Sequence, residues 1–568
     1  MTTTKQSHSA EERVEQTPRT AADLVMNRLG DDRIGIRFED DDYTWDDFVR
    51  AAIRCSHFLA AHLNDRLPPH LGILLENRPE FLFWWAGSAL SGTALVCMNP
   101  TRRGQELADD VLATDCQILL VDSTTRGLID ESDLPDVEVI DIDSDDHTAE
   151  VAGLDDTRPV ESAAAADPAT ILTMQFTSGS TGRPKAAMCS TGRFTVAATF
   201  GSGGLDRDDV SYNSMPLFHS NAILGCWAGP LHQGGTFVLA RRFSASGFLD
   251  DLLRYDVTYF NYVGRVLSYI LAQPERAEEK QVKLKAAFGT EAPVRDRKEF
   301  ARRFGVEPFE SYGSSEGGLN FVRSADTPED ALGLPPAGST YTAAVIDPVD
   351  MSERPRARFG EHGELLNADE AIGELAALGA RGTFEGYYKD PEAESERLRG
   401  DNFLSGDLGY RDEAGYFYFA GRGGDRLRVD GENFSGAPIE RVIGRYPAAQ
   451  LAAIYPVPDE ISGDQVMLAL QMVDDARFDP QDFAEFLAAQ PDLGTKWAPR
   501  YIRIVDTLPV TATSKINKKE LRKDGWRTDD PVFYRPGRSN EYRRLEPADV
   551  EELLKRFADS GRKELLHR

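Results

Sequence analysis

The sequence predicts a layered α/β protein, with a large N-terminal domain built of subdomains and a small C-terminal α+β domain. Three observations carry this. The first third alternates strand-like and helix-like apolar runs, the pattern of repeated βα units with parallel strands. The chain has 568 residues, several times the usual single-domain length, so two or more domains are expected. Three glycines among the five residues Gly421-Arg422-Gly423-Gly424-Asp425 separate strand-like Tyr416–Phe419 from strand-like Leu427–Val429. Glycine tolerates the φ/ψ changes of a hinge, so 421–425 is a candidate boundary between domains at 1–422 and 423–568. On local sequence alone, a hairpin turn is the competing explanation.

The elements follow in order. Arg33–Phe38 and Leu71–Leu75 read as strands and Trp45–Leu63 as a helix. Thr44, with Asp47 three positions on, forms an N-cap pair able to satisfy free amides of the first turn. A second helix spans roughly Pro79–Leu90, followed by strand Ala94–Cys97, helix Arg103–Thr114 and strand Gln117–Val121. The uncharged run Phe81–Thr101 is long enough to raise a membrane-span question. Gly87, Ser88, Ser91, Gly92, Thr93, Asn99 and Pro100 interrupt it, so a buried helix that breaks at Ser91-Gly92 is the better reading. Residues 130–165, acidic and alanine-rich without periodicity, read as a surface connection. Pro547–Leu566 reads as a charged amphipathic helix that packs on its own domain or on a neighbour, which leaves a homodimer open.

Composition narrows the function. Hydrophobic residues make up 41% and charged residues 28%, an ordinary soluble balance. Lys plus Arg total 64 against 94 Asp plus Glu, a net charge of -30. Such a field repels polyanions, which argues against nucleic acid and anionic lipid as partners. ATP needs only a local site. Five scattered cysteines without a C-x-x-C or a Cys/His cluster fit a reducing compartment and neither a disulfide framework nor a zinc site. The polar N-terminus has no signal-peptide pattern, so a cytoplasmic location is expected.

The sharpest signal is Thr177-Ser178-Gly179-Ser180-Thr181-Gly182-Arg183-Pro184-Lys185, directly after the apolar strand Ile171–Phe176. Glycines let backbone N–H groups approach phosphate oxygens, hydroxyls donate to them, and the lysine supplies charge. It is not the Walker pattern, and Pro184 sits directly before the lysine. A flexible Ser/Gly surface loop is the bland alternative.

This segment resembles the signature loop of the adenylate-forming superfamily, which includes acyl-CoA synthetases, beetle luciferases and peptide-synthetase adenylation domains. That family's other motifs follow in order over roughly residues 20–530. Met215-Pro216-Leu217-Phe218-His219 resembles the aromatic/His motif near the carboxylate pocket. Gly289-Thr290-Glu291-Ala292-Pro293 resembles the adenine-side loop, and Ser311-Tyr312-Gly313-Ser314-Ser315-Glu316-Gly317 the Y-G-x-T-E motif. Ser405-Gly406-Asp407 resembles the ribose-binding segment, Gly421-Arg422 the opening of the hinge, and Thr511-Ala512-Thr513-Ser514-Lys515 the loop with the catalytic lysine.

The resemblance implies an adenylate-forming fold with a mobile C-terminal domain, and an ATP-dependent acid:CoA ligase using ATP, Mg²⁺ and coenzyme A. It implies a catalytic set of Lys515, Glu316, Thr177 and His219. Lys515 would place charge beside the substrate carboxylate and the α-phosphate, Glu316 would hold Mg²⁺, and His219 would line the carboxylate or thiol channel. Tyr312 would stack on adenine, Asp407 would accept from the ribose hydroxyls, and Arg422 would reach ribose or phosphate. Ser178, Gly179, Ser180, Thr181, Gly182, Lys185, Thr290, Glu291, Ala292, Gly313, Ser314 and Ser315 complete the nucleotide set. Gly424, Asp425, Arg428, Gly431, Glu432 and Asn433 would serve the hinge or face CoA. Asn221 and Trp227, in the uncharged run Asn221–Leu231, and Tyr262, in Tyr259–Gly264, are candidate acyl-pocket walls or simply core.

Ser315 stands where most members have Thr, Ser514 where they have Gly, and Gly424 where many have Asp or Lys. The motifs look most like the very-long-chain/fatty-acid-transport-protein branch and actinobacterial ligases for fatty acids or steroid side chains. The expected substrate is thus a fatty or steroid side-chain acid. The rivals are a ligase that passes its adenylate to a carrier protein and a lipid-uptake or binding protein.

Overall fold

The computed structural model describes residues 18–567 apart from 178–183, 202–203, 265, 362–364, 423–425, 430–431, 461–462, 475, 492, 494–496, 512–514 and 537–540. Two sheets and the helices between them organise the large domain. The first orders its strands Glu138–Asp141, Ile118–Val121, His70–Ile73, Ala94–Cys97, Ile171–Thr177 and Lys185–Ser190. The first five run parallel and the last returns antiparallel. His70–Ile73, Ala94–Cys97 and Ile118–Val121 are buried at every residue, the mark of strands covered on both faces. The second sheet has eight strands with a parallel centre, including Val210–Asn213, Tyr259–Val263, Ala286–Thr290 and Phe309–Tyr312.

Helices Trp45–His62 and Pro79–Ser91 lie between these sheets, and their side chains share one core with strands of both. The first helix starts on the expected pair: Thr44 Oγ1 accepts from the Asp47 amide at 3.0 Å, and the Thr44 amide donates to Asp47 Oδ2 at 2.9 Å. The second opens on Pro79 and stops at Gly92, whose φ is 77°. Trp45, Phe48, Trp85, Trp227 and Phe237 interlock in the centre. Among the described residues no helix is long and apolar enough to cross a membrane.

A third, antiparallel sheet holds Thr342–Ile346, Gly373–Leu378, Asn402–Arg411, Leu398–Arg399 and Phe417–Arg422. It is joined to the first along a short seam. Tyr387 bridges Ala187, the Met188 amide donates to Gly386 at 3.1 Å, and the Tyr388 amide donates to Ala186 at 2.9 Å. The last part of the chain forms its own sheet, Ala449–Pro458, Asp464–Met472, Tyr501–Val505, Val532–Tyr534 and Arg543–Arg544, with apolar clusters on both sides.

Two expectations change. Residues 130–165 are more than a surface connection, because Glu138–Asp141 joins the first sheet and helix Asp145–Ala152 buries His147 against Phe58 and Trp84. The strands flanking 423–425 are not a hairpin: Phe417–Arg422 pairs with Asn402–Arg411, whereas Arg426–Val429 pairs with Glu432–Ser435. The predicted C-terminal helix forms over Pro547–Asp559 and packs Leu553 and Phe557 on its own domain.

The two central helices touch at Gly87, where a Cβ would run into Cys55 and the Ala52 carbonyl. Gly87→Leu should force them apart at a cost of about 1–3 kcal/mol. The check is the urea midpoint of the first unfolding transition, expected to fall; an unchanged midpoint would show that the helices part freely.

Candidate active site

The expected nucleotide residues gather where strands of the sheets end. Thr177 and Lys185 face each other across the antiparallel pair Ile171–Thr177 and Lys185–Ser190. Ser178, Gly179, Ser180, Thr181 and Gly182, between them, lie outside the described residues. Lys185 is buried, and its ammonium meets Glu396 Oε2 at 2.8 Å and lies 5.5 Å from the centre of the Tyr387 ring. A buried ammonium is tolerable only with such a partner.

Strand Phe309–Tyr312 delivers Tyr312, whose hydroxyl donates to Asp407 Oδ2 at 2.7 Å. Asp407 stands opposite Arg422 in the third sheet. The chain then turns through Gly313 and Ser314, with the Gly317 amide donating to the Ser314 carbonyl at 3.0 Å. Ser315 shares a 2.6 Å hydroxyl contact with Ser220, and its carbonyl accepts from Arg193 at 2.8 Å. Glu316 accepts from the Tyr387 hydroxyl at 3.1 Å. One constellation therefore contains Tyr312, Asp407, Ser315 and Glu316.

The end of strand Ala286–Thr290 supplies the next group. Glu291 adopts a φ of 67° and meets the Lys515 ammonium at 2.6 Å, so a contact from the small domain reaches the large one. A second comes from Arg295, which donates to the Ala449 carbonyl at 3.1 Å. The Ala292 amide donates to Glu310 Oε1 at 2.8 Å, and Arg297 lies 3.6 Å from the other Glu310 oxygen. Burial raises the Glu310 carboxyl above its ordinary range.

His219 follows the braced segment Met215–Phe218. Asn77 donates to the Met215 carbonyl at 3.0 Å and accepts from the Leu217 amide at 2.9 Å. Burial first, and then the Lys515 charge, push the His219 imidazole down to about 4. It is neutral at pH 7, and its Nε2 is buried without a hydrogen-bond partner. That arrangement suits a neutral lining group.

The acyl-wall candidates divide. Asn221 begins the π-helical turn Asn221–Trp227 and accepts from Asn261 Nδ2 at 2.8 Å. Trp227 is fully buried in the aromatic core. Tyr262 is fully buried beneath Gly289, with its hydroxyl 3.2 Å from Glu310 Oε1. Neither ring presents a free face, so both are core packing rather than walls. An uncharged segment reads the same either way in sequence. On the other side, strands Arg426–Val429 and Glu432–Ser435 pair Arg428 with Asn433 and Val429 with Glu432. Gly424, Asp425 and Gly431 lie outside the described residues.

Sequence reading missed Arg193, Glu310, Tyr387, Glu396 and Arg397. Tyr387 sits in Gly386-Tyr387-Tyr388, just before the N-cap Asp390 and Pro391 of helix Pro391–Arg397. That turn-then-helix signal was available. Glu396 and Arg397 fall in a charged run that reads as a solvated helix end.

Comparison with known proteins identifies the family. The profile described as AMP-binding enzyme matches residues 13–388. The chain is 44% identical over 554 residues to the steroid-22-oyl-CoA synthetase of Rhodococcus jostii (strain RHA1), covering 96% of this chain and 99% of that one. It is 44% identical over 517 residues to the medium/long-chain fatty acid–CoA ligase FadD17 of Mycobacterium tuberculosis, covering 90% and 98%. Among solved structures, ATP-bound MatB from Rhodopseudomonas palustris matches with a TM-score of 0.76 at 22% identity, over 89% of this chain and 98% of that one. The anthranilate CoA ligase AuaEII with anthranoyl-AMP matches with a TM-score of 0.78 at 20% identity, over 89% and 97%. At those identities the structures speak for the fold, and the sequence matches speak for the family. The chain belongs to the AMP-binding enzyme family and has the adenylate-forming fold.

Proposed function

We propose that this protein is an ATP-dependent acid:CoA ligase that activates a fatty acid or a steroid side-chain acid. The observation that carries the reading is the convergence of Tyr312–Asp407, Glu316 and Lys515 at strand ends of the large domain. The substrate class is supported by the two relatives at 44% identity, a steroid-22-oyl-CoA synthetase and a medium/long-chain fatty acid–CoA ligase.

In the first half-reaction a carboxylate oxygen of the acid attacks the α-phosphorus of ATP. The bond to the bridging oxygen breaks, pyrophosphate leaves and the acyl-adenylate forms. In the second, the CoA thiol sulfur attacks the acyl carbon, its proton is lost and AMP departs. Catalysis by this chain is positioning and charge stabilisation. Asp407 accepts from the ribose hydroxyls, Tyr312 offers its ring to adenine, and Lys185 supplies charge for the phosphates. Lys515 reaches the site already carrying a carboxylate partner, Glu291. The acid substrate presents the same chemistry to it.

Glu316 suits Mg²⁺, a hard cation usually held by one or two carboxylates together with phosphates and water; when bound, the ion would neutralise charge on the phosphates. Tyr387 holds one Glu316 oxygen. Residues 1–422 and 423–568 act as two domains, and rotation about 423–425 withdraws Lys515 and turns the Arg428–Asn433 hairpin toward the site for thioester formation. The strands that flank 423–425 belong to different sheets.

Incubation with ATP, Mg²⁺ and a panel from short fatty acids to steroid-linked propanoates, with and without CoA, tests the reading by mass spectrometry. Acyl-CoA with AMP is expected from a fatty or steroid-linked acid; adenylate that never transfers to CoA would overturn the CoA assignment. Lys515→Ala should slow adenylation by about 10²–10³-fold, the scale of losing one charge-stabilising group. It should leave thioester formation from supplied acyl-adenylate within a few-fold, and equal loss of both halves would refute the division of labour. Asp407→Asn should weaken ATP binding by about tenfold, the scale of one charge-assisted hydrogen bond, with titration calorimetry as the readout.

A further inference from the structure

The helix Pro391–Arg397 ends on two charged residues that turn to different parts of the site. Glu396 takes the buried Lys185 ammonium at 2.8 Å, at the root of the 178–183 segment. Arg397 Nε donates to the Tyr387 hydroxyl at 3.4 Å, and that hydroxyl donates to Glu316 Oε1 at 3.1 Å. Tyr387 is almost fully buried. The Arg397 guanidinium lies against Gly406, where a Cβ would collide with it, and within electrostatic reach of both Glu316 and Asp407.

A solvated helix end has no need of this arrangement. A buried tyrosine hydroxyl between a guanidinium and a carboxylate fixes where the carboxylate oxygens point, because each hydrogen bond has a preferred direction. We propose that Tyr387 and Arg397 are positioning residues that orient Glu316 for a phosphate-bound magnesium ion, and that the same helix, through Glu396, holds Lys185 in register with it. The inference rests on the reading of Glu316 as the magnesium carboxylate. The two residues are assigned no contact with substrate.

The test is titration calorimetry of ATP against the full chain without acid, in EDTA and in saturating Mg²⁺. It compares the unaltered protein with Tyr387→Phe, Arg397→Gln, Arg397→Lys and Glu316→Gln. Tyr387→Phe keeps the ring that packs in the core, so its melting temperature is expected to hold. It should bind ATP in EDTA within about twofold of the unaltered protein yet lose about tenfold of the affinity that Mg²⁺ adds, the scale of one hydrogen bond to a charged group. Arg397→Gln should follow it, and Arg397→Lys should recover part of the loss.

If Glu316→Gln abolishes the Mg²⁺ increment while Tyr387→Phe retains it, the positioning role is overturned and the magnesium reading stands. If Tyr387→Phe weakens ATP equally in EDTA and in Mg²⁺, the residue is structural and the proposal fails. If Glu316→Gln retains the whole increment, the magnesium reading falls and takes the proposal with it.

Discussion

The seam between Gly386–Tyr388 and Lys185–Ser190 is the constraint on which the site depends. An edge strand leaves unpaired amides and carbonyls, and here they are taken by the connection Gly386–Tyr388, which runs between two strands of the third sheet. The Ser190 amide extends the seam by donating to Glu385 at 2.8 Å. Because Tyr387 is fixed there, its hydroxyl reaches Glu316; because the helix follows at once, Glu396 reaches Lys185. Asp407 comes from the same third sheet and Tyr312 from the eight-stranded one. The seam's backbone hydrogen bonds fix the Tyr387 end of this set, and the side-chain bond from Tyr312 to Asp407 ties in the eight-stranded sheet.

What was legible in the sequence was what is local. The Thr44–Asp47 cap spans three positions, and both hydrogen bonds form. The βα alternation shows because strands buried on both faces are continuously apolar. The signature segment and the motifs that follow it are short runs with distinctive chemistry. The illegible part is long-range or ambiguous in kind. Glu310 braces Ala292 and Tyr262 from a neighbouring strand, and nothing near it in sequence announces that duty. Strand Glu138–Asp141 is an edge strand with no fully buried residue, so it lacks the apolar run that would reveal it. Trp227 and Tyr262 were ambiguous for another reason: an aromatic residue in an uncharged segment is equally at home in a core and in a pocket.

Electrostatically the site is a set of buried or half-buried groups braced by charged or polar neighbours. His219 is neutral because it is buried and faces a lysine. Lys185 is paired with Glu396, the Tyr387 hydroxyl lies between Arg397 and Glu316, and Glu310 sits between Arg297 and a backbone amide. Fixed dipoles and charges of this kind need little rearrangement when charge moves during a reaction, which is the physical basis of electrostatic preorganisation.

The contact between Lys515 and Glu291 is of a different character from these, since both side chains are partly open to solvent. Exposed pairs contribute about 0–1 kcal/mol and weaken as salt rises. Taken alone, such a bond shifts the ratio of docked to undocked small domain by no more than about fivefold. This contact by itself therefore does little to lock one arrangement of the two domains, and it weakens as ionic strength rises. A deep, dry ion pair in the same place would have made the docked form a trap.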